Sequence, residues 1–350
     1  MSLRERYGWS PFFEQQAAAL GRRDLVFSRV VEEQRGLYRV AGADGWVEVS
    51  GRFRHEAAGA ADFPAVGDWV GVDGGIIHVR LERRGTVSRA AAGRAVQEQV
   101  VAANVDTIFL VTALTQDLNV RRLERYLTMV WDAGAVPVVV LNKADLCEDI
   151  AAARDAVCAR LPMVDVVALS ALEDAGLDAL APYLRPAQTV ALLGMSGVGK
   201  STLVNRLLGD ERLRVGGVRE ADGRGRHTTT ARQLVELPGG ALLIDTPGMR
   251  ELQPWGDESA VAAAFDDIVA TATACRFADC AHAGEPGCAV REAIENGSLD
   301  PDRLDNFRRL EREAAFEARK HDKAAAAALK RRWKQIHKAQ RAMNRDRDRG

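Results

Sequence analysis

The segment GMSGVGKST at 194–202 restricts this chain more than any other. It lies between a short apolar run, QTVALL at 188–193, and the helically spaced STLVNRLL that starts at Ser201. A strand, a glycine-rich turn and a helix in that order predict a loop whose backbone N–H groups and helix N-terminus surround phosphate oxygens. Gly194, Gly197 and Gly199 supply conformations and close approaches that a side chain would obstruct. Met195, Ser196, Val198 and Thr202 complete the segment. Lys200 is expected to reach the β and γ phosphates and the Ser201 hydroxyl to coordinate Mg²⁺. A second strand, GALLIDTPG at 240–248, ends at Asp245, where a carboxylate can hold the same Mg²⁺ through a water, and Gly248 can offer its N–H to the γ-phosphate.

Two further strand ends carry base-reading chemistry. AVPVVVLNKAD ends with Asn142, Lys143, Ala144 and Asp145, and VDVVALSAL ends with Ser170, Ala171 and Leu172. A carboxylate at Asp145 accepts two hydrogen bonds from guanine N1–H and N2–H₂, whereas adenine would turn a bare acceptor toward it. The stem of Lys143 can cover the ring, and the Ala171 N–H can donate to O6. Asn142 is expected to tie this loop to the phosphate loop.

The order of these loops is unusual: base loop, second base loop, phosphate loop, Asp-x-x-Gly. Ordinary GTPases begin with the phosphate loop. All four loops belong on the carboxyl edge of one parallel sheet, so the site survives if the chain is cut and rejoined elsewhere. The expected fold is therefore α/β, a circularly permuted P-loop GTPase domain (93–256, order G4-G5-G1-G2-G3) whose first strand is VDTIFLVTAL near 105. The break falls after the second switch, which leads into a C-terminal domain.

Between the phosphate loop and QLVEL lies GGVREADGRGRHTTTAR, glycine-rich and without a period. One of Thr228, Thr229 and Thr230, with Thr229 favoured, is expected to complete the Mg²⁺ shell. Met249 follows Asp-Thr-Pro-Gly where a Ras-like GTPase carries the glutamine that orients water, and a thioether cannot do that. His227 is a candidate to position the water; its alternative role is a surface or RNA contact.

Five cysteines, three of them between 275 and 288, fit a reducing compartment in which thiols serve as ligands. Cys275, Cys280, His282 and Cys288 have the spacing C-x4-C-x-H-x5-C. Three thiolates and one imidazole suit tetrahedral Zn²⁺ in a closed structural site, one ion per chain, with no position left open for catalysis.

At the N-terminal end, five short β-type runs between residues 24 and 90, with glycines between them, predict an OB-like barrel (1–92). Arg52, Arg54, Arg80, Arg83 and Arg84 are candidate phosphate contacts there, and Trp46 and Trp69 read as core. The segment 85–104 reads as a basic linker. The C-terminal domain (257–350) is expected to be helical, with a helix starting at Asp300 and Pro301. From Arg319 onward it carries a net charge of +9 within a chain of net −1, a candidate nucleic-acid contact or a solvated helix face. No apolar run approaches the ~18–20 residues that cross a bilayer, and the N-terminus is too charged for a signal peptide. A cytoplasmic location with no membrane contact is expected.

Taken together, the OB-like start with GDWV, QEQVVAANVD, NKAD, GMSGVGKST, GRHTTT, DTPG and the Cys-Cys-His-Cys cluster resemble the circularly permuted, ribosome small-subunit-dependent GTPases of bacteria, the RsgA family. The resemblance covers nearly the whole chain. It implies GTP hydrolysis to GDP and phosphate stimulated by the 30S subunit, a role in late small-subunit maturation, binding to 16S rRNA and structural zinc; a monomeric chain is expected. An ATP-dependent kinase or ATPase, for which NKAD would be accidental, and a nucleotide-gated RNA-binding scaffold with little turnover are the rival readings.

Overall fold

The computed structural model describes residues 1–90, 98–115, 118–161, 163–209, 232–245, 261–262, 264–313 and 315. His227, Thr228, Thr229, Thr230, Gly248, Met249 and the basic tail lie outside these residues. Two compact units divide the chain, one formed by 1–90 and 98–254 and the other by 91–97 and 255–350.

The first unit opens with α1 (Leu3–Arg6) and α2 (Pro11–Leu20), followed by β1 (Val26–Gln34), β2 (Leu37–Val40), β3 (Glu48–Val49), α3 (Gly51–Glu56), β4 (Trp69–Asp73) and β5 (Ile76–Arg80). Antiparallel ladders join β2 to β1, β1 to β4 and β4 to β5, and β3 runs parallel to β5. A bridge between Tyr38 and Val47 then links β2 to the residue preceding β3. Alternation explains the packing: Tyr38, Val40, Val47 and Val49 turn inward onto Val30, Val70 and Ile77, while Leu37, Arg39, Trp46 and Glu48 are exposed. Trp46 is thus not a core residue; it is 43% exposed with the Arg39 guanidinium 5.7 Å from its ring centroid. Trp69 is core, 1% exposed, packed with Phe13, Leu25, Phe27 and Leu81.

The arginines proposed for phosphate are largely engaged within the fold. Arg83 forms a buried, bidentate pair with Asp68 at 2.8 and 2.7 Å and also donates to the carbonyls of Ala61 and Phe63. This corrects its reading as a phosphate contact, since leaving the pair would strand the buried Asp68 carboxylate. Arg80 donates to the carbonyls of Asp62 and Leu81, Arg84 pairs with Asp106, Arg52 with Glu56 and Arg54 with Glu48.

The expected linker is also corrected. Residues Thr86–Ala90 (β6) and Glu98–Ala103 (β7) pair as antiparallel strands. Small alanines hide the period-two pattern there, and the buried Val87 and Val100 take their strand conformation from the pairing partner.

The remaining strands are β8 (Thr107–Ala113), β9 (Val136–Asn142), β10 (Asp165–Ala168), β11 (Thr189–Leu193), β12 (Arg232–Glu236) and β13 (Leu242–Asp245), with α4 (Val120–Asp132), α5 (Ile150–Arg160) and α6 (Lys200–Leu208) between them. Their spatial order is β10-β9-β8-β11-β13-β12, parallel except for β12. The phosphate-loop strand β11 therefore sits centrally, between β8 and β13, although three strands of this sheet region (β8, β9 and β10) precede it in the chain. Near-continuous apolar runs such as Val138–Leu141 are buried, as parallel strands covered on both faces require. The sheet continues into the N-terminal strands because β1 pairs with β12, where Glu33 meets Arg232 at 3.0 Å.

In the second unit the described residues include helices Asp266–Ala272 and Ala289–Glu295, flanking the cysteine-bearing loop, and a helix over 301–313. That last helix begins at Pro301 as expected, and the Asp300 carboxylate accepts from the Asp302 N–H at 2.8 Å. Arg303 is buried, donates to Asp267 through two 2.7 Å bonds, and stands 4.7 Å from the Phe265 ring centroid. Among the described residues no helix is long and apolar enough to cross a membrane.

Candidate functional site

β11 delivers the chain into the loop at Gly194 and α6 begins at Lys200, so strand, turn and helix follow one another as the motif demands. Two glycines are fixed by close approach. A Cβ on Gly194 (φ 153°) would lie 2.1 Å from the Val111 carbonyl oxygen of β8, and one on Gly199 (φ 95°) would lie 2.2 Å from Asn142 Nδ2. Gly197 meets nothing nearby, and there only its φ of 83° calls for glycine. Lys200 is buried, with Nζ donating to the Gly194 carbonyl at 2.7 Å and to the Met195 carbonyl. Its ammonium is thus held at the rim of a loop whose Met195 and Ser196 are exposed. Ser201 and Thr202 occupy the first turn of α6, and Asp245 ends β13, the strand beside β11.

The two base loops meet on the same edge. Lys143 adopts a left-handed conformation (φ 61°) that turns the chain out of β9, and the Ala144 N–H donates to the Leu169 carbonyl at 3.1 Å, docking one loop on the other. The exposed carboxylate of Asp145 accepts from Ser170 Oγ at 2.5 Å, which in turn accepts from the Glu173 N–H. The expected tie to the phosphate loop is present: Asn142 Nδ2 donates to the Val198 carbonyl at 2.8 Å. One contact differs from expectation. The Ala171 N–H donates to Asn142 Oδ1 at 3.0 Å, so a guanine O6 would compete with Asn142 for it.

Cys275, Cys280, His282 and Cys288 bring one ligand atom each to within 4.8 Å of one another. His282 Nδ1 stands 3.7 Å from Cys275 Sγ and 3.4 Å from Cys288 Sγ. Such a set of three sulfurs and one ring nitrogen can hold a metal ion, and its donor chemistry fits Zn²⁺. Burial opposes ionisation of Cys275, yet the N–H groups of Val290 and Ala289 hold its thiol below the ordinary range. Burial also lowers His282, assisted by Arg308, and so favours the neutral imidazole that a metal needs.

The RsgA GTPase family model matches residues 80–255. The chain is 48% identical over 355 residues to the "Small ribosomal subunit biogenesis GTPase RsgA" of Opitutus terrae, covering 97% of each. The chain belongs to the RsgA GTPase family. The relative of that name from Xylella fastidiosa is 49% identical over 294 residues, 81% of this chain and 84% of its own. Among solved structures, YjeQ from Thermotoga maritima aligns with a TM-score of 0.62 at 25% identity, covering 83% of this chain and 99% of that one. YloQ, described as a circularly permuted GTPase, aligns at 0.58 and 25% identity, covering 84% and 96%. This RsgA-family chain is a GTP hydrolase with the circularly permuted GTPase fold.

Two residues that carry the geometry of this RsgA-family chain, one in the nucleotide loops and one in the cysteine loop, belong to no motif. Arg206, on α6, donates through Nε to the Ala171 carbonyl at 3.0 Å and through Nη2 to the Leu172 carbonyl at 2.9 Å. Glu285, inside the cysteine loop, accepts from the N–H groups of Ala281, Ala283 and Gly284 at 3.1, 2.7 and 3.0 Å. Hydrogen bonds from its own N–H and from those of Gly284, Ala283 and Ala281 pull its carboxyl down to about 2. An arginine in a helix and a glutamate in a loop give no sequence signal. Glu285 could have been suspected only because a ligand loop needs its backbone N–H groups satisfied.

Proposed function

We propose that this GTPase acts in late maturation of the small ribosomal subunit, binding 16S rRNA and hydrolysing GTP to GDP and phosphate faster on the 30S particle than off it. The observation that carries this reading is the 97% coverage, at 48% identity, of a relative named for small-subunit biogenesis. The site chemistry supports the nucleotide half. Asn142, Lys143, Ala144, Asp145, Ser170 and Ala171 would hold guanine, Gly194 to Thr202 the phosphates, and Ser201 with Asp245 the Mg²⁺ that neutralises phosphate charge. Gly248, with Thr229 for the Mg²⁺ and His227 for the water, completes the proposed set.

What supports an OB-like barrel is the run of paired strands β2-β1-β4-β5-β3, with the single Tyr38–Val47 bridge bringing β2 back beside the start of β3. We retain the three-part division at 92/93 and 256/257, a structural zinc at Cys275, Cys280, His282 and Cys288, a monomeric chain and a cytoplasmic location as parts of the proposal. Phosphate release measured alone and with 30S, 50S or 70S particles tests it. Acceleration by 30S is the expected result; a rate indifferent to all three particles would sink the ribosomal reading.

A further inference from the structure

We propose that Arg206 is a positioning residue for guanine recognition, fixing the second base loop so that its backbone discriminates the 6-oxo group. The proposal rests on reading Asn142–Asp145 and Ser170–Leu172 as the guanine pocket.

The Ala171–Leu172 segment is gripped from two sides. Asn142 Oδ1 takes the Ala171 N–H at 3.0 Å, and the Arg206 fork takes the two carbonyls that follow, at 3.0 and 2.9 Å. The Ser170–Ala175 bridge and the Glu173 N–H on Ser170 Oγ close the turn at its ends, while the Arg206 fork holds the Ala171 and Leu172 carbonyls within it, where Leu172 is 63% exposed. A planar guanidinium suits two successive carbonyls because its Nε–H and Nη2–H project side by side in a fixed geometry, whereas a lysine ammonium offers a point charge without it. The N–H that would meet O6 must exchange Asn142 for the base. A loop anchored through its carbonyls can make that exchange without moving the peptide, and an unanchored one cannot.

α6 thereby acts at both ends. Lys200 in its first turn binds the carbonyls of the phosphate loop, and Arg206 near its last turn binds those of the base loop. Correct seating of the phosphates and correct seating of the base are carried by one rigid element.

The test is the affinity of the full chain for GDP, 6-thio-GDP and IDP, by competition against a fluorescent GDP, in wild type, Arg206→Ala and Arg206→Lys. The thio analogue keeps N1–H and N2–H₂ but replaces O6 with a weak acceptor, while IDP lacks the amine that Asp145 reads. Arg206→Ala is expected to lower the GDP preference over 6-thio-GDP by roughly three- to tenfold, leave the preference over IDP unchanged, and be only partly rescued by lysine. Equal scaling of all three affinities, or two unchanged ratios, would reduce Arg206 to a general structural role and overturn the proposal. A wild-type chain that does not distinguish the three nucleotides would overturn the pocket reading itself. Thermal unfolding of each variant with GDP bound separates loss of fold from loss of discrimination.

Discussion

Asn142 and Val198 are joined by a 2.8 Å hydrogen bond that links the base loop after β9 to the phosphate loop after β11. The same amide accepts from the Ala171 N–H, so one buried side chain of this GTPase ties its own loop to two others. Asn142→Ala removes both bonds and leaves the buried Ala171 N–H and the partly buried Val198 carbonyl without that partner, about 1–3 kcal/mol for the N–H if unreplaced and less for the carbonyl. Affinity for GDP should fall roughly 10- to 100-fold, as read by equilibrium titration. An affinity within threefold of wild type would show that the loops hold their places without it.

The phosphate-loop glycines should divide by mechanism. Gly194→Ala forces a Cβ to within 2.1 Å of the Val111 carbonyl, a contact between the start of the phosphate loop and the central strand β8 that only backbone movement relieves. Its thermal midpoint should drop by several degrees even without nucleotide. Gly197→Ala meets no atom and costs only about 1–2 kcal/mol for its left-handed backbone. That variant should fold and lose mainly nucleotide affinity. The reverse ranking in a thermal melt would refute the steric argument.

How much of this could be read beforehand follows from what each residue depends on. The strand ends at Asn142, Ser170, Gly194 and Asp245 were legible because each combines an apolar run with a chemically specific turn. Their convergence despite the permuted order followed from parallel topology alone. Arg83 was misread because exposure cannot be judged from an arginine-rich run; its partner Asp68 lies fifteen positions away and is wholly buried. The β6–β7 hairpin was missed because its alanines carry little pattern, and Arg206 because its partners are backbone carbonyls, which every residue has.

The cysteine loop should bind one zinc ion per chain, measured by elemental analysis of the purified protein. Glu285→Ala strips three N–H groups of their acceptor without touching a ligand atom. Support of that kind is worth about 10- to 100-fold in metal affinity. Competition with a chromogenic chelator should show zinc retained in the variant but released at correspondingly lower chelator concentration. Equal release from both proteins would show that the four ligands hold their geometry without the glutamate.

Arg29 supplies the strongest stability prediction. Arg29 is 1% exposed; its guanidinium donates to the carbonyls of Gly67, Tyr7 and Asn104 at 3.0, 2.7 and 3.0 Å and to Thr189 Oγ1 at 2.8 Å. These acceptors come from the segment before α2, the turn before β4, the end of β7 and the start of β11. Burial lowers the Arg29 pKa to about 10, which still leaves it protonated at neutral pH. Arg29→Met would bury similar volume yet leave those oxygens without their donor, and we expect a loss of about 3–5 kcal/mol in urea unfolding. Arg29→Lys should recover little, because one ammonium cannot span four acceptors set around a planar fork. GDP affinity of the folded variant should stay near wild type, since Thr189 opens β11 and the phosphate loop follows its other end. If Arg29→Met unfolds at the same urea concentration as wild type, water replaces the guanidinium at these carbonyls and the buried arginine is dispensable.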